Sequence, residues 1–340
     1  EMLHALELLL LLSAVVSFAA ADSVKGPITP HFKNWLDKNG YGADDFERKA
    51  WGTQGSYGGK QSDADEVKRI PVVFIHGNSD AALAYGSLKS GWDKSIDYFQ
   101  NKGEYTPAEL YAVSWGDANA LHSGERRHDC PTVGRVRRFI EAVHAYTGAE
   151  KLSIISHSMG VTLARKAVKG GPLNDGNVTC NIGKPLKYVD AFIGLAGANF
   201  GLCTCEGAAA YLQPSCNPKT GFWPGDSCGF NYLTCGLPIQ PWPCNAPTYS
   251  ELFTQLNLDI TREGARVISA WSAADDVIMS GDQVWGRPTS LIPRSSGLLS
   301  HEHEGIDGRR SAGLAARTES MKDTLSISLT CTYPSSPGRS

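Results

Sequence analysis

Lys151-Leu152-Ser153-Ile154-Ile155-Ser156-His157-Ser158-Met159-Gly160-Val161 is the stretch on which the reading of this chain turns. Lys151 to Ile155 is a short run rich in apolar and β-branched residues, the pattern of a strand buried on both faces. Val161 to Val168 then follows helical spacing, and Gly170-Gly171 is placed to stop that helix. Where a strand turns sharply into a helix the backbones pass close together, so small residues are needed two before and two after the residue at the apex. Ser156 and Gly160 meet that need around Ser158, and such a turn lifts the serine hydroxyl above the sheet edge. The pattern S-x-S-x-G arises often by chance; its place between a buried strand and a helix is what gives it meaning. The plainer alternative is a tight turn with an ordinary surface serine.

The same rhythm continues on both sides. Ile70–Ile75, Leu110–Trp115, Tyr188–Leu195 and Ala265–Trp271 read as buried strands. Trp92, Ile96 and Phe99 mark a helix ended by Gly103, and Val136, Phe139, Ile140 and Val143 another closed by Gly148. Alternating strands and helices imply an α/β fold, a mostly parallel central sheet with helices on both faces. A Gly- and Asp-rich lead-in occupies residues 22–68. A long insertion at about 198–250 holds six of the nine cysteines (Cys203, Cys205, Cys216, Cys228, Cys235, Cys244) and the aromatics Phe222, Trp223, Phe230, Tyr232 and Trp242. It is too long for a plain loop and reads as a disulfide-stapled cap or lid within a catalytic domain spanning 22–340. A zinc cluster is the rival reading, but the spacings lack paired C-x-x-C knuckles.

Leu8 to Ala20 is apolar and ends in Ala19-Ala20-Ala21 before Asp22, the form of a signal peptide over residues 1–21. It lacks the usual basic residues, and a short anchor or a buried helix is the alternative; it is too short to span a membrane comfortably. A secreted, disulfide-permissive protein follows, in which Asn177-Val178-Thr179 is a glycosylation sequon. The formal charge of -3 and the absence of any Lys/Arg-rich run exclude a nucleic-acid partner.

A serine hydroxyl becomes a nucleophile only when a base takes its proton, and the base needs an anion to orient it. Behind an elbow of this kind the order along the chain is serine, acid, histidine. Of the nine histidines only His301 and His303 lie beyond Ser158, so the base is one of these two. Asp275-Asp276-Val277-Ile278 follows the strand Ala265–Trp271. Asp275 is the preferred acid, because it leaves Val277 and Ile278 to re-enter the core; Asp276 is the alternative. The loop His76-Gly77-Asn78 follows an early strand and can supply one oxyanion donor, so the backbone N–H groups of Asn78 and Met159 are the candidates. His76 reads as a structural histidine and His157 as packing at the elbow.

His76-Gly77-Asn78, the His-Ser-Met-Gly elbow, Leu195-Ala196-Gly197-Ala198-Asn199 and Trp271-Ser272-Ala273-Ala274-Asp275 together resemble the class 2 triacylglycerol lipases, which are secreted α/β-hydrolases. The likeness runs from roughly residue 68 to 310. In that family the histidine begins a motif His-x-Gly-apolar, which His303-Glu304-Gly305-Ile306 fits and His301 does not; the resemblance therefore implies His303 as base. It also implies oxyanion donors at Asn78 and Met159, no metal or organic cofactor, and hydrolysis of acylglycerol esters through an acyl-enzyme at a lipid–water interface. A carboxylesterase, phospholipase or acyltransferase with the same triad is the alternative, and a secreted binding protein that has lost catalysis is the alternative of another class.

Overall fold

The computed structural model describes residues 24–85, 89–225, 235–236, 247–273, 275, 278 and 280–301. The expected signal peptide, Asp276, His303, Phe230, Tyr232, Trp242, Cys228, Cys244 and Cys331 lie outside the described residues.

Seven strands form one sheet: β1 (Ser56–Tyr57), β2 (Val72–Ile75), β3 (Leu110–Val113), β4 (Leu152–His157), β5 (Val189–Leu195), β6 (Arg266–Ser272) and β7 (Gly297–His301), in the order β1-β3-β2-β4-β5-β6-β7. Only β1 runs antiparallel to its neighbour. The five strands expected from the apolar runs are all present. β1 and β7 at the two edges were not expected, nor was the helix α1 (Pro30–Lys38) in the lead-in. Four more helices matter for the site: α2 (Asp93–Asn101), α3 (Cys130–Thr147), α4 (Met159–Lys169) and α5 (Glu251–Leu258).

Strand alternation divides the core between the two faces of the sheet. Val73 and Ile75 of β2 face α1, α3 and α4, packing with Phe32, Phe139, Ile140 and Leu163. Val72 and Phe74 face the other way and pack with Trp92, Ile96 and Phe99 at the start and along α2. A sheet covered on both faces explains why the strands read as continuous apolar runs rather than alternating ones. α3 begins where Asp129 accepts a hydrogen bond from the Thr132 N–H at 2.9 Å and ends at Gly148, whose φ of 64° suits a left-handed cap.

A buried polar cluster ties these layers together. Arg165, on α4, is 1% exposed; its guanidinium donates to Glu263 at 2.8 Å, to Asn199 at 2.9 Å, to Asn257 at 3.0 Å and to the Leu256 carbonyl at 3.2 Å. Glu263 is 2% exposed and precedes β6. Breaking a buried pair strands one charge in a poorly polarisable medium, whereas replacing both partners does not. Lys169 also pairs with Glu263, at 3.6 Å, so removing the carboxylate leaves two buried cations without it; Glu263→Ala is therefore expected to cost about 3–5 kcal/mol of unfolding free energy in urea titration. A loss under about 1 kcal/mol in Glu263→Ala would show that the pair does not hold the fold.

Candidate active site

Ser158 sits at the apex between β4 and α4 with φ 51° and ψ -128°. That conformation costs a non-glycine residue on the order of 1–3 kcal/mol and persists only where its surroundings fix it. Here the Ser158 N–H donates to the Leu195 carbonyl at 2.9 Å, and the Ser158 carbonyl accepts from Val161 at 2.9 Å. A Cβ on Gly160 would stand 2.3 Å from the His76 carbonyl oxygen, and one on Gly77 would stand 2.9 Å from the Ser158 Cβ. The loop after β2 thus lies directly on the elbow, and glycine is what lets it. Ser156, in the place more usual for glycine, is fully buried and donates its hydroxyl to the Ile193 carbonyl at 3.1 Å, so the extra oxygen is satisfied.

His76 is 1% exposed and stacks on Trp115 with ring centroids 5.0 Å apart and planes 8° apart. Its Nε2 accepts from the Trp115 backbone N–H at 3.1 Å, its Nδ1 lies 2.7 Å from the Gly77 carbonyl, and its own carbonyl accepts from the Trp115 indole at 2.8 Å. The ring is spent on structure: it fastens the loop after β2 to the end of β3. Asn78 and Met159 follow at the loop and at the first position of α4. Among the described residues, no hydrogen bond is donated by the backbone N–H of either. A helix N-terminus leaves its first N–H groups without intrahelical partners and favours negative charge nearby.

The ends of β6 and β7 lie side by side in the sheet. β7 pairs with β6 in a register that sets His301 opposite Ser272. Asp275 comes just past β6, in a turn where its N–H donates to the Ser272 carbonyl at 3.2 Å and its Oδ1 accepts from the Ile278 N–H at 2.8 Å. Ser158, after β4, stands two strands from β6. The topology therefore brings the Ser158 and Asp275 segments and the end of β7 to one edge, while His303 and Asp276 lie outside the described residues. Asn177 is exposed at the turn joining the strand pair Pro172–Asn174 and Thr179–Asn181.

Four cysteines of the insertion form disulfides, Cys203–Cys235 and Cys205–Cys216, and a third bond joins Cys130 to Cys180. These pairings replace the zinc alternative for the residues concerned. Among the described residues, no helix is long and apolar enough to cross a membrane, and no three or more His, Cys, Asp or Glu gather as metal ligands.

A class 2 lipase family model matches residues 69–312. The chain belongs to the class 2 lipase family. It has the α/β-hydrolase fold and is a hydrolase of the lipase and esterase kind. It is also similar to three solved structures. Aspergillus fumigatus lipase B shares 14% identity at TM-score 0.40, over 73% of this chain and 48% of that one. A Paleococcus ferrophilus monoacylglycerol lipase shares 14% at TM-score 0.42, over 82% and 98%. The mature Bacillus licheniformis lipase BlEst2 shares 11% at TM-score 0.39, over 81% and 96%. The chain thus spans about half the length of the Aspergillus lipase.

One residue that the sequence did not single out is Asp282, beyond Asp275. It is fully buried, and its carboxylate accepts from the Ser290 hydroxyl at 2.6 Å and the Ser290 N–H at 3.3 Å. Burial pushes its pKa up to about 7, against the lowering by Ser290, and the charge of Asp275 adds to the rise. No motif announces an aspartate of this kind; only its burial does. Because the folded value lies above the unfolded one, the native state holds a proton that the unfolded chain has released. Stability therefore falls as pH rises from about 4 through about 7, by on the order of 4 kcal/mol. Asp282→Asn is expected to flatten that slope in melting curves recorded between pH 4 and 8. An unchanged slope would place the titration elsewhere.

Proposed function

We propose that this class 2 lipase relative is a secreted serine esterase that hydrolyses carboxylic esters of acylglycerols, with Ser158, Asp275 and His303 as its triad. The observation that carries the reading is the strained Ser158 apex, with the first N–H of α4 beside it and the Gly77–Asn78 loop packed against it. A turn held this way at a cost in strain lifts a hydroxyl above the sheet edge, which an ordinary surface serine does not need.

In the proposed reaction Ser158 Oγ attacks the ester carbonyl carbon while His303 accepts the hydroxyl proton. Asp275 orients the imidazole and stabilises the imidazolium. The Asn78 and Met159 N–H groups hold the negative oxygen of the tetrahedral intermediate. The bond to the alcohol oxygen then breaks, the proton passes from His303 to the departing alcohol, and the acyl group remains on Ser158. Water, deprotonated by His303, attacks that ester and releases the fatty acid. No metal or organic cofactor enters these steps. Three disulfides and the apolar segment near the N-terminus support export through an oxidising compartment, where the Asn177 sequon is open to glycosylation.

Labelling of the purified protein with a fluorophosphonate probe tests the reading. Wild type is expected to label, with Ser158→Ala and His303→Ala silent and kcat for ester hydrolysis down by about 10⁴-fold or more. Loss of labelling in His301→Ala but not in His303→Ala moves the base by two residues. A folded wild type that takes no label is a scaffold without the reaction. Comparing triolein with short-chain nitrophenyl esters then separates lipase from carboxylesterase.

A further inference from the structure

The segment between β3 and α3 does more than connect them. Arg126 lies in it with its side chain 10% exposed. Nη1 donates to the Asn78 Oδ1 at 2.8 Å and to the Ser79 Oγ at 2.7 Å. Nη2 donates to the Asn119 carbonyl at 2.7 Å and pairs with Asp117, whose other oxygen is 2.6 Å from the His122 Nδ1. The Asn78 amide nitrogen in turn donates to the Ser123 carbonyl at 2.9 Å. Both ends of the Asn78 side chain are thus held by one loop, and the guanidinium is braced from behind by an acid and a carbonyl.

The next residue shows why a clamp is needed. Ser79 has φ 63°, a left-handed backbone that serine adopts only under constraint. The run Gly77-Asn78-Ser79-Asp80 is itself turn-forming, and the Asp80 N–H donates to the Gly77 carbonyl at 3.3 Å. The charge-assisted bonds from Arg126 to both Asn78 and Ser79 are strong enough to select it. The fork geometry matters, since one guanidinium nitrogen serves the loop while the other is anchored, an arrangement a lysine ammonium cannot copy in full.

We propose that Arg126 is a positioning residue of the oxyanion loop, fixing through the Asn78 and Ser79 side chains the backbone from which the Asn78 N–H meets the developing oxyanion at Ser158. The proposal rests on the assignment of Ser158 and Asn78 made above. Arg126 is assigned no contact with substrate, so its loss acts on the transition state rather than on substrate affinity. Removing an oxyanion donor outright costs about 10²–10³ in kcat; a donor left in place but loosely held costs less.

The test uses the full chain and a short-chain p-nitrophenyl ester, with wild type, Arg126→Ala, Arg126→Lys, Asn78→Ala and the Arg126→Ala/Asn78→Ala double variant. Asn78→Ala removes the clamped side chain and keeps the backbone N–H. Arg126→Ala and Asn78→Ala are each expected to lower kcat about 10- to 100-fold with KM within about threefold, and Arg126→Lys to fall between. The double variant is expected to lose less than the product of the two single losses, because both singles remove the Arg126–Asn78 bond. Millimolar guanidinium is expected to restore part of the Arg126→Ala rate and none of the Asn78→Ala rate. Wild-type kcat in a folded Arg126→Ala, or losses that multiply in the double variant, would overturn the proposal. Should Arg126→Ala not fold, Asn78→Ala and Arg126→Lys decide it, and wild-type kcat in both overturns it. A wild type that takes no fluorophosphonate label brings down the Ser158 assignment and this proposal together, an outcome distinct from normal labelling with indifferent Arg126 variants.

Discussion

Arg165 is the side chain on which the arrangement hangs. It sits two turns into the helix that Ser158 opens, so whatever holds Arg165 holds that helix. Its partners come from three places: Asn199 beyond β5, Leu256 and Asn257 in α5, and Glu263 before β6. Asn199 passes the connection on, since its side chain donates to the Ser290 carbonyl at 3.1 Å and its N–H to the Thr289 carbonyl at 2.7 Å. Ser290 then closes on Asp282, past the proposed acid. A continuous buried chain of hydrogen bonds therefore runs from α4 to Asp282. An apolar core fixes volumes but lets elements slide; bonds of defined direction fix register.

The same division of labour appears at the elbow itself. Apolar burial puts β4 and α4 in place, and close backbone approach at Gly77 and Gly160 sets the loop after β2 against Ser158. Polar groups then do the fine alignment, His76 against Trp115 on one flank and Arg126 against Asn78 on the other. An oxyanion donor works only if it is aimed before charge develops, because a loop that must reorganise during the reaction gives back what the bond supplies. Two fastenings on one short loop, from the end of β3 and from the segment beyond it, are consistent with that need.

The sequence carried the parts of this fold that are local. Apolar runs of strand length, small residues around Ser158 and glycines after helical stretches located five strands, three helices and the elbow. It did not carry β1, only two residues long, or β7, whose Gly297-Leu298-Leu299-Ser300-His301 is short and mixed. Both lie at sheet edges, where one side of the strand has no partner and the apolar signal weakens. The polar fastenings were invisible for a different reason. Arg126 meets Asn78 across 48 residues and Arg165 meets Glu263 across 98, and an arginine in a helix or loop reads as solvated until its partner is known. The histidine was narrowed by chain order to two residues and by family motif to one, and that one falls outside the described residues.

The Cys-rich segment was read from composition as a cap that stabilises itself, with a small apolar core or a mobile lid as its two forms. Its described part packs into the main core. Cys205, Cys216 and Phe222 are buried in the main core, with Phe222 and Phe253 flanking the ring of His128. His128 is fully enclosed, and burial pushes its pKa down to about 4, so it stays neutral there while its Nδ1 lies 2.7 Å from the Thr220 carbonyl and its Nε2 2.6 Å from the Thr162 hydroxyl on α4. Cys203–Cys235 joins Phe200, Val284 and Trp285 in a second cluster, and the Trp285 indole donates to the Pro224 carbonyl at 2.9 Å. A lid needs a face it can leave at low cost. One end of residues 200–225 is sunk beside α4 and the other is bonded to Trp285, with Tyr211 and Leu212 exposed between them. Motion of either end would therefore disturb α4 or Trp285, and the described stretch is anchored at both.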